Sequence, residues 1–225
     1  MIAVVSAGAY YTSVAFAAIV CAALCVAARR RPGRWTVVAA RGIGVVLAVT
    51  AASWTISLVV GGTWSVHSSL PLPLCDAAVL VAIAACWSRM PLLVELTWFW
   101  GMAGTLQGVL TPDLNAAFPH SGFFQYVVGH TAIVVAAMFL VVGMRSYPRR
   151  GALTRVIAVT AGYTAFVGLV DAIGDANYMY LRSPPGNWTL LSVLGPWPWY
   201  LASATAIAVV LFALLDAPFR AARRH

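Results

Sequence analysis

The placement of its arginines constrains this chain more than any other feature. All fourteen basic residues are arginine, and thirteen of them fall in alternate gaps between long apolar runs. The runs are about Ala9–Ala28, Ile43–Val60, Leu74–Trp87, Leu92–Leu110, Phe123–Val142, Val156–Gly174 and Tyr200–Leu215. Arg29, Arg30, Arg31, Arg34 and Arg41 separate the first run from the second, and Arg89 the third from the fourth. Arg145, Arg149, Arg150 and Arg155 separate the fifth from the sixth, and Arg220, Arg223 and Arg224 follow the seventh. Only Arg182 lies in one of the other gaps. A helix of about 20 apolar residues spans a bilayer, and arginine-rich connections stay on the cytoplasmic side. The pattern predicts an all-α polytopic membrane bundle of seven transmembrane helices, one domain over residues 1–225. Its N-terminus lies outside and its C-terminus in the cytoplasm. A six-span or eight-span count scatters the arginines over both faces.

Composition agrees. The chain is 62% hydrophobic and 9% charged, whereas a soluble domain is about a quarter charged. A net charge of +8 fits a nucleic-acid binder only until the arginines are placed; there they face anionic headgroups instead. The expected partners are membrane lipids and not nucleic acid, and the expected location is the inner or plasma membrane as a multi-pass protein. The first charge, Arg29, follows the first apolar run, the reverse of the order in a signal peptide. Cys21 and Cys25 share a helical face and Cys86 lies at the far end of the Cys75 helix, so they read as buried thiols and not as disulfides.

The third run carries the chemistry. Leu70–Ala78 reads LPLPLCDAA, which puts Cys75 and Asp76 just behind two prolines. Proline suits the first helical turn, where its missing N–H would be unpaired anyway, so the helix starts near Pro73. Cys75 then sits where unpaired N–H groups and the helix dipole favour an anion, one way of activating a thiol. The adjacent Asp76 must be paired, protonated or turned away for that activation to hold. The run has only 14 residues from Leu74 to Trp87, about 21 Å of helix against a hydrocarbon core of about 30 Å. The preceding LPLPL must therefore descend as non-helical backbone, which is tolerated only beside protein or a wet cavity.

Other polar residues gather at the same level. Gln107 lies near the outer end of the fourth run, His130 about 10 Å below the outer end of the fifth, and Asp171 and Asp175 share a face of the sixth. Polar groups at such depth are functional suspects. The outer connections add Asp113, His120 and Asn177. Cys75 and His130 form the candidate nucleophile and base, with an acid orienting the imidazole. Asp76, Gln107, Asp113, His120, Asp171, Asp175 and Asn177 form the candidate binding or orienting set. The plainer readings are a small buried thiol, an interhelical hydrogen bond for His130, glue for Gln107, and loop caps or an Arg182 pair for the two aspartates. A zinc set of Cys75, His130, His120 and an aspartate lacks CxxC or HExxH spacing, so neither a metal nor a cofactor is expected. Glu95, toward the cytoplasmic side, is expected to snorkel beside Arg89.

The blocks LPLPLCD, FWGMAGTLQGVLTPDL, FPHSGFFQYVVGHT, DANYMYL and LGPWPWY together resemble the YwaF-type family of bacterial integral membrane proteins. The resemblance runs from Leu70 to the last apolar run; the first two match only in being apolar. A more distant similarity joins that family to eukaryotic seven-span phospholipid acyltransferases with a Cys/His pair. What it implies is a nucleophile at Cys75 and a base at His130. Pro73 stands where the resemblance suggests His or another polar residue. The function expected is a lipid acyltransferase or lipid hydrolase working in a cavity of the outer half of the bilayer. The alternative is a seven-span transporter, or a membrane protein that binds a lipid or small molecule without catalysis.

Overall fold

The computed structural model describes residues 2–112, 116–184 and 193–222, with side chains from residue 7 onward. Every regular element among them is helical. The order is α1 (Ile2–Arg30), α2 (Arg34–Val60), α3 (Leu74–Ser88) and α4 (Pro91–Trp100), which passes through a π-helical turn (Gly101–Thr105) into α5 (Leu106–Leu110). Then come α6 (Ser121–Met138) with a terminal π-helical turn (Phe139–Gly143), α7 (Ala152–Gly174), a 3-10 turn (Tyr178–Tyr180) and α8 (Trp199–Ala222). Each apolar run carries helix. Five helical stretches are long and apolar enough to cross a membrane: Ala7–Arg30, Arg34–Val60, Ser121–Gly143, Ala152–Gly174 and Trp199–Ala222. The other two runs fall short of that measure. α3 is apolar but has only 15 residues, about 22 Å, and the fourth run is interrupted by its π turn.

α2 begins nine residues before its apolar run, because a helix can carry a charged turn when the charge packs. The Arg41 guanidinium lies 5.7 Å from the centre of the Trp87 ring, a cation–π distance. α3 ends at Arg89 in the left-handed conformation, φ 54°, which turns the chain straight into Pro91.

The core lies where α3, α4 and α6 meet. Ala78, Ala82 and Ala85 put a smooth face of α3 inward, and small residues at that spacing let helices approach closely. Phe99, Ile133, Ala136, Ala137, Phe139 and Leu140 fill the space opposite. At the π turn, a Cβ on Gly101 would stand 3.3 Å from both Ile133 Cγ2 and Ala137 Cβ, so glycine is what allows α4 this close to α6.

One end of the bundle holds the described arginines apart from Arg182. Arg29 Nε donates to the Val142 carbonyl (3.0 Å) and its Nη2 to the Tyr147 hydroxyl (2.9 Å). Arg220 pairs with Asp216 at 2.8 Å. Arg223 and Arg224 lie outside the described residues. Glu95 corrects the expectation of an Arg89 partner. It is 1% exposed and accepts from the backbone N–H of Arg149 (3.0 Å), from Arg149 Nε (2.9 Å) and from Arg155 Nη2 (2.8 Å). Arg89 cannot serve, because it caps α3 and the carboxylate faces the 144–151 connection instead. A buried carboxylate survives only when its charge and lone pairs are met, and here one side chain fastens α4 to that connection and to α7.

Removing it leaves two guanidinium groups and a backbone N–H without their acceptor. Glu95→Ala is expected to cost about 2–3 kcal/mol, read as a thermal melting point in detergent lower by roughly 5–10 °C, with Glu95→Gln intermediate.

Candidate active site

Residues 61–73, joining α2 to α3, run without helix. Four hydrogen bonds, made by two tyrosines and a histidine, pin this strap to α7 and the turn beyond it. The Tyr163 hydroxyl donates to the Leu72 carbonyl (2.8 Å), the Tyr178 hydroxyl donates to the Val66 carbonyl (2.7 Å) and accepts from the Leu70 N–H (3.0 Å), and His67 Nδ1 bonds the Gly174 carbonyl at 2.7 Å. Pro73, extended at φ −53° and ψ 145°, is the N-cap of α3, and no side chain caps the helix. The N–H groups of its first turn, Cys75 included, are left for a ligand or water.

Beside that turn lies a cavity of about 750 Å³, walled by α2, the strap, α3 and α6. Cys75 and Asp76 enter from α3, and Gln125, Tyr126 and His130 from α6. Thr50, Trp54 and Thr55 come from α2, and Trp64, Ser68 and Ser69 from the strap. Trp54, Trp64 and Leu80 are exposed as well as lining, so the cavity opens laterally at its rim.

His130 is held by three contacts. Its Nδ1 lies 2.9 Å from the Tyr126 carbonyl, one turn earlier. A carbonyl only accepts, so Nδ1 carries the proton and Nε2 keeps its lone pair. Nε2 makes no hydrogen bond among the described residues. The Tyr126 ring stacks on the imidazole at 4.1 Å between centres, and its hydroxyl donates to the Gly108 carbonyl at 2.8 Å. A Cβ on Gly108 would stand 3.0 Å from His130 Cδ2 and 3.4 Å from Nε2, so the imidazole occupies the space a side chain would take. The orienting partner is thus backbone, where an acid was expected.

Cys75 is half-buried, whereas Cys21, Cys25 and Cys86 are buried, and all four are free thiols. Thr105, fully buried on the π turn, stands next to its sulfur. The Thr105 hydroxyl makes no hydrogen bond among the described residues. The π turn shifts the helical phase so that Thr105 meets Cys75 and Gly108 meets His130; such turns recur at functional sites. Asp76 has neither hydrogen bond nor ion pair among the described residues.

The rest of the expected set lies elsewhere. Gln107 is not in the cavity wall. His120 is exposed and caps α6, its Nδ1 accepting from the Gly122 N–H at 3.2 Å. Asp171 is buried at the end of α7, where Oδ1 accepts from the Tyr178 N–H at 2.8 Å. Asp175 lies on the surface, paired with Arg182 Nη1 at 2.6 Å, and that bond holds its carboxyl below the usual aspartate range. Asn177 Oδ1 accepts from the N–H groups of Arg182 (2.9 Å) and Ser183 (3.2 Å). These three shape the turn after α7 and do not reach the cavity; shared depth did not mean a shared face. Asp113 lies outside the described residues. Among the described residues no three of His, Cys, Asp and Glu gather as a metal set. Sequence reasoning missed Tyr126, Gly108, Thr105 and Gln125. Tyr126 alone carried a usable signal, since it precedes His130 by four residues and so shares its face.

No curated protein and no solved structure matches the chain. A family model does, that of the TMEM164 family, over residues 4–216. The match includes α1 and α2, which the YwaF-type resemblance covers only as apolar helix, and it names neither that family nor an acyltransferase. It takes in every helix that walls the cavity, and on it the chain belongs to the TMEM164 family of membrane proteins.

Proposed function

We propose that this protein is a lipid acyltransferase or lipid hydrolase embedded in the inner or plasma membrane. In this reading it has seven spans, its N-terminus outside and its arginine-rich end in the cytoplasm. The observation that carries the reading is that Cys75 and His130, from helices far apart in sequence, line one laterally open cavity. The imidazole there has its proton committed on Nδ1 and its Nε2 lone pair free.

The reaction follows from those groups. A lipid ester enters between the helices and sets its carbonyl over Cys75. As Sγ attacks the carbonyl carbon, His130 Nε2 takes the thiol proton. The oxyanion is met by N–H groups of the uncapped first turn of α3. The C–O bond breaks, the alcohol leaves with the proton from Nε2, and the acyl group remains as a thioester. An acceptor hydroxyl, or water, then gives its proton to Nε2 and attacks the thioester; the proton returns to sulfur. Tyr126 and Gly108 position the base.

Three outcomes test this reading. Cys75→Ala and His130→Ala each lose at least about 100-fold in lipid turnover while the melting point holds; a Cys75→Ala protein that still turns lipid over contradicts it. Gly108→Ala, which favours helix by about 0.5–1 kcal/mol, keeps or raises stability yet slows turnover about tenfold or more by displacing the imidazole. For orientation, in a background lacking the native cysteines, a single cysteine at Val66 reacts with an impermeant maleimide on intact cells. One at Tyr147 reacts only after permeabilisation; the opposite pattern inverts the topology.

A further inference from the structure

A second pair of soft nucleophiles stands away from the cavity. Cys21 and Cys25 lie one turn apart on α1, which packs against α6 and its π turn, and neither lines the cavity. Both are free thiols, closed off to 9% and 7% exposure within the core. The Cys25 sulfur stands next to the Cys21 thiol and to the Gly143 N–H. A Cβ on Gly143 would come within 3.4 Å of Cys25 Cα, so glycine is what lets the π turn bring its backbone against this sulfur.

The spacing and the surrounding charge decide what such a pair can hold. Residues four apart on a helix have Cα atoms about 6 Å from each other, the long end of what a disulfide spans. Their Cα–Cβ bonds lean the same way along the axis, which suits an ion between the sulfurs better than a direct S–S bond. Zinc asks for four ligands, and among the described residues no three of His, Cys, Asp and Glu gather. Copper(I) is a soft ion that thiolates select, and two of them complete its linear coordination. Two thiolates around it carry one net negative charge, which needs a cation nearby. Arg29 follows Cys25 by one turn. Its Nε and Nη2 bond only neutral groups, the Val142 carbonyl and the Tyr147 hydroxyl. No carboxylate pairs with it among the described residues, since Glu95 is held by Arg149 and Arg155 and Asp216 by Arg220.

We infer that Cys21 and Cys25 bind one copper(I) ion between their sulfurs, at the arginine-rich end of α1. The Gly143 N–H and the Arg29 guanidinium support the charge of the bound pair. The site is separate from the cavity and does not depend on acyl transfer. Binding breaks two S–H bonds and forms two S–Cu bonds with no change of oxidation state, and both protons pass to solvent.

The test is an anaerobic titration of copper(I) into the purified full-length Cys75→Ala protein, in competition with the chromophoric chelator bicinchoninate. The Cys75→Ala background keeps the cavity thiol from competing for the metal. The expected result is one copper held per chain, two protons released with it, and two sulfur neighbours by X-ray absorption. Cys25→Ser in the same background should lose the copper to the chelator, and so should Cys21→Ser. Should those variants not fold, Arg29→Gln leaves both sulfurs in place and should weaken copper binding about tenfold, with Arg29→Lys restoring it. A folded protein that yields all its copper to the chelator overturns the inference. So does copper retained by Cys25→Ser, an Arg29→Gln protein that binds as tightly as its parent, or a preference for zinc over copper(I).

Discussion

A helix that starts late is the constraint on which the site depends. α3 has 15 residues, and the chain between Val60 and Leu74 must reach its first turn as bare backbone. Such backbone needs partners for its polar groups, and Tyr163 and Tyr178 supply them from the far side while the near side is left hollow. The same late start leaves the N–H groups of the first turn uncapped and facing that hollow. A longer α3 with a conventional cap would fill the cavity and bury Cys75 as an inert thiol.

The two ends of the bundle solve opposite problems. At the arginine-rich end, Glu95 gathers a backbone N–H and two guanidinium groups, a dense network that fixes α4 against α7. The opposite end concentrates its fixed interactions in the strap and the turn after α7. The cavity between α2, α3 and α6 keeps groups with spare capacity: a thiol, an imidazole nitrogen and an unpaired carboxyl. Rigidity around a few under-used polar groups is what positions chemistry on a scaffold. The π turn at Gly101–Thr105 links the two regions, because it closes the packing against α6 and also aims Thr105 and Gly108.

Much of the scaffold was legible in the sequence because its determinants are local. Runs of apolar residues, the Pro73 boundary and the shortness of α3 depend on neighbours along the chain, and so does the expectation of a cavity beneath LPLPL. That Cys75 and His130 line one cavity agrees with the depth expected for each, which sequence does encode through the rise per residue. The sequence did not reveal which faces of the helices meet. Asp171 and Asp175, expected at the level of Cys75, serve with Asn177 the turn that Arg182 joins, and His120 spends its ring nitrogen on a helix cap. Glu95 went to Arg149 and Arg155 rather than to Arg89, since only tertiary packing brings the 144–151 connection over α4. Gly108 and Thr105 were invisible for a related reason: their roles depend on a phase shift at the π turn that no periodicity announces.

The mechanism stands or falls on whether Cys75 accepts an acyl group. The direct measurement is the intact mass of the purified protein after incubation with a membrane lipid extract, with peptide mapping of any adduct. The expected result is a gain equal to one acyl group, carried on Cys75, released by hydroxylamine and absent in His130→Ala. A protein whose mass stays unchanged while it turns lipid over, or an adduct that maps to another residue, would contradict it.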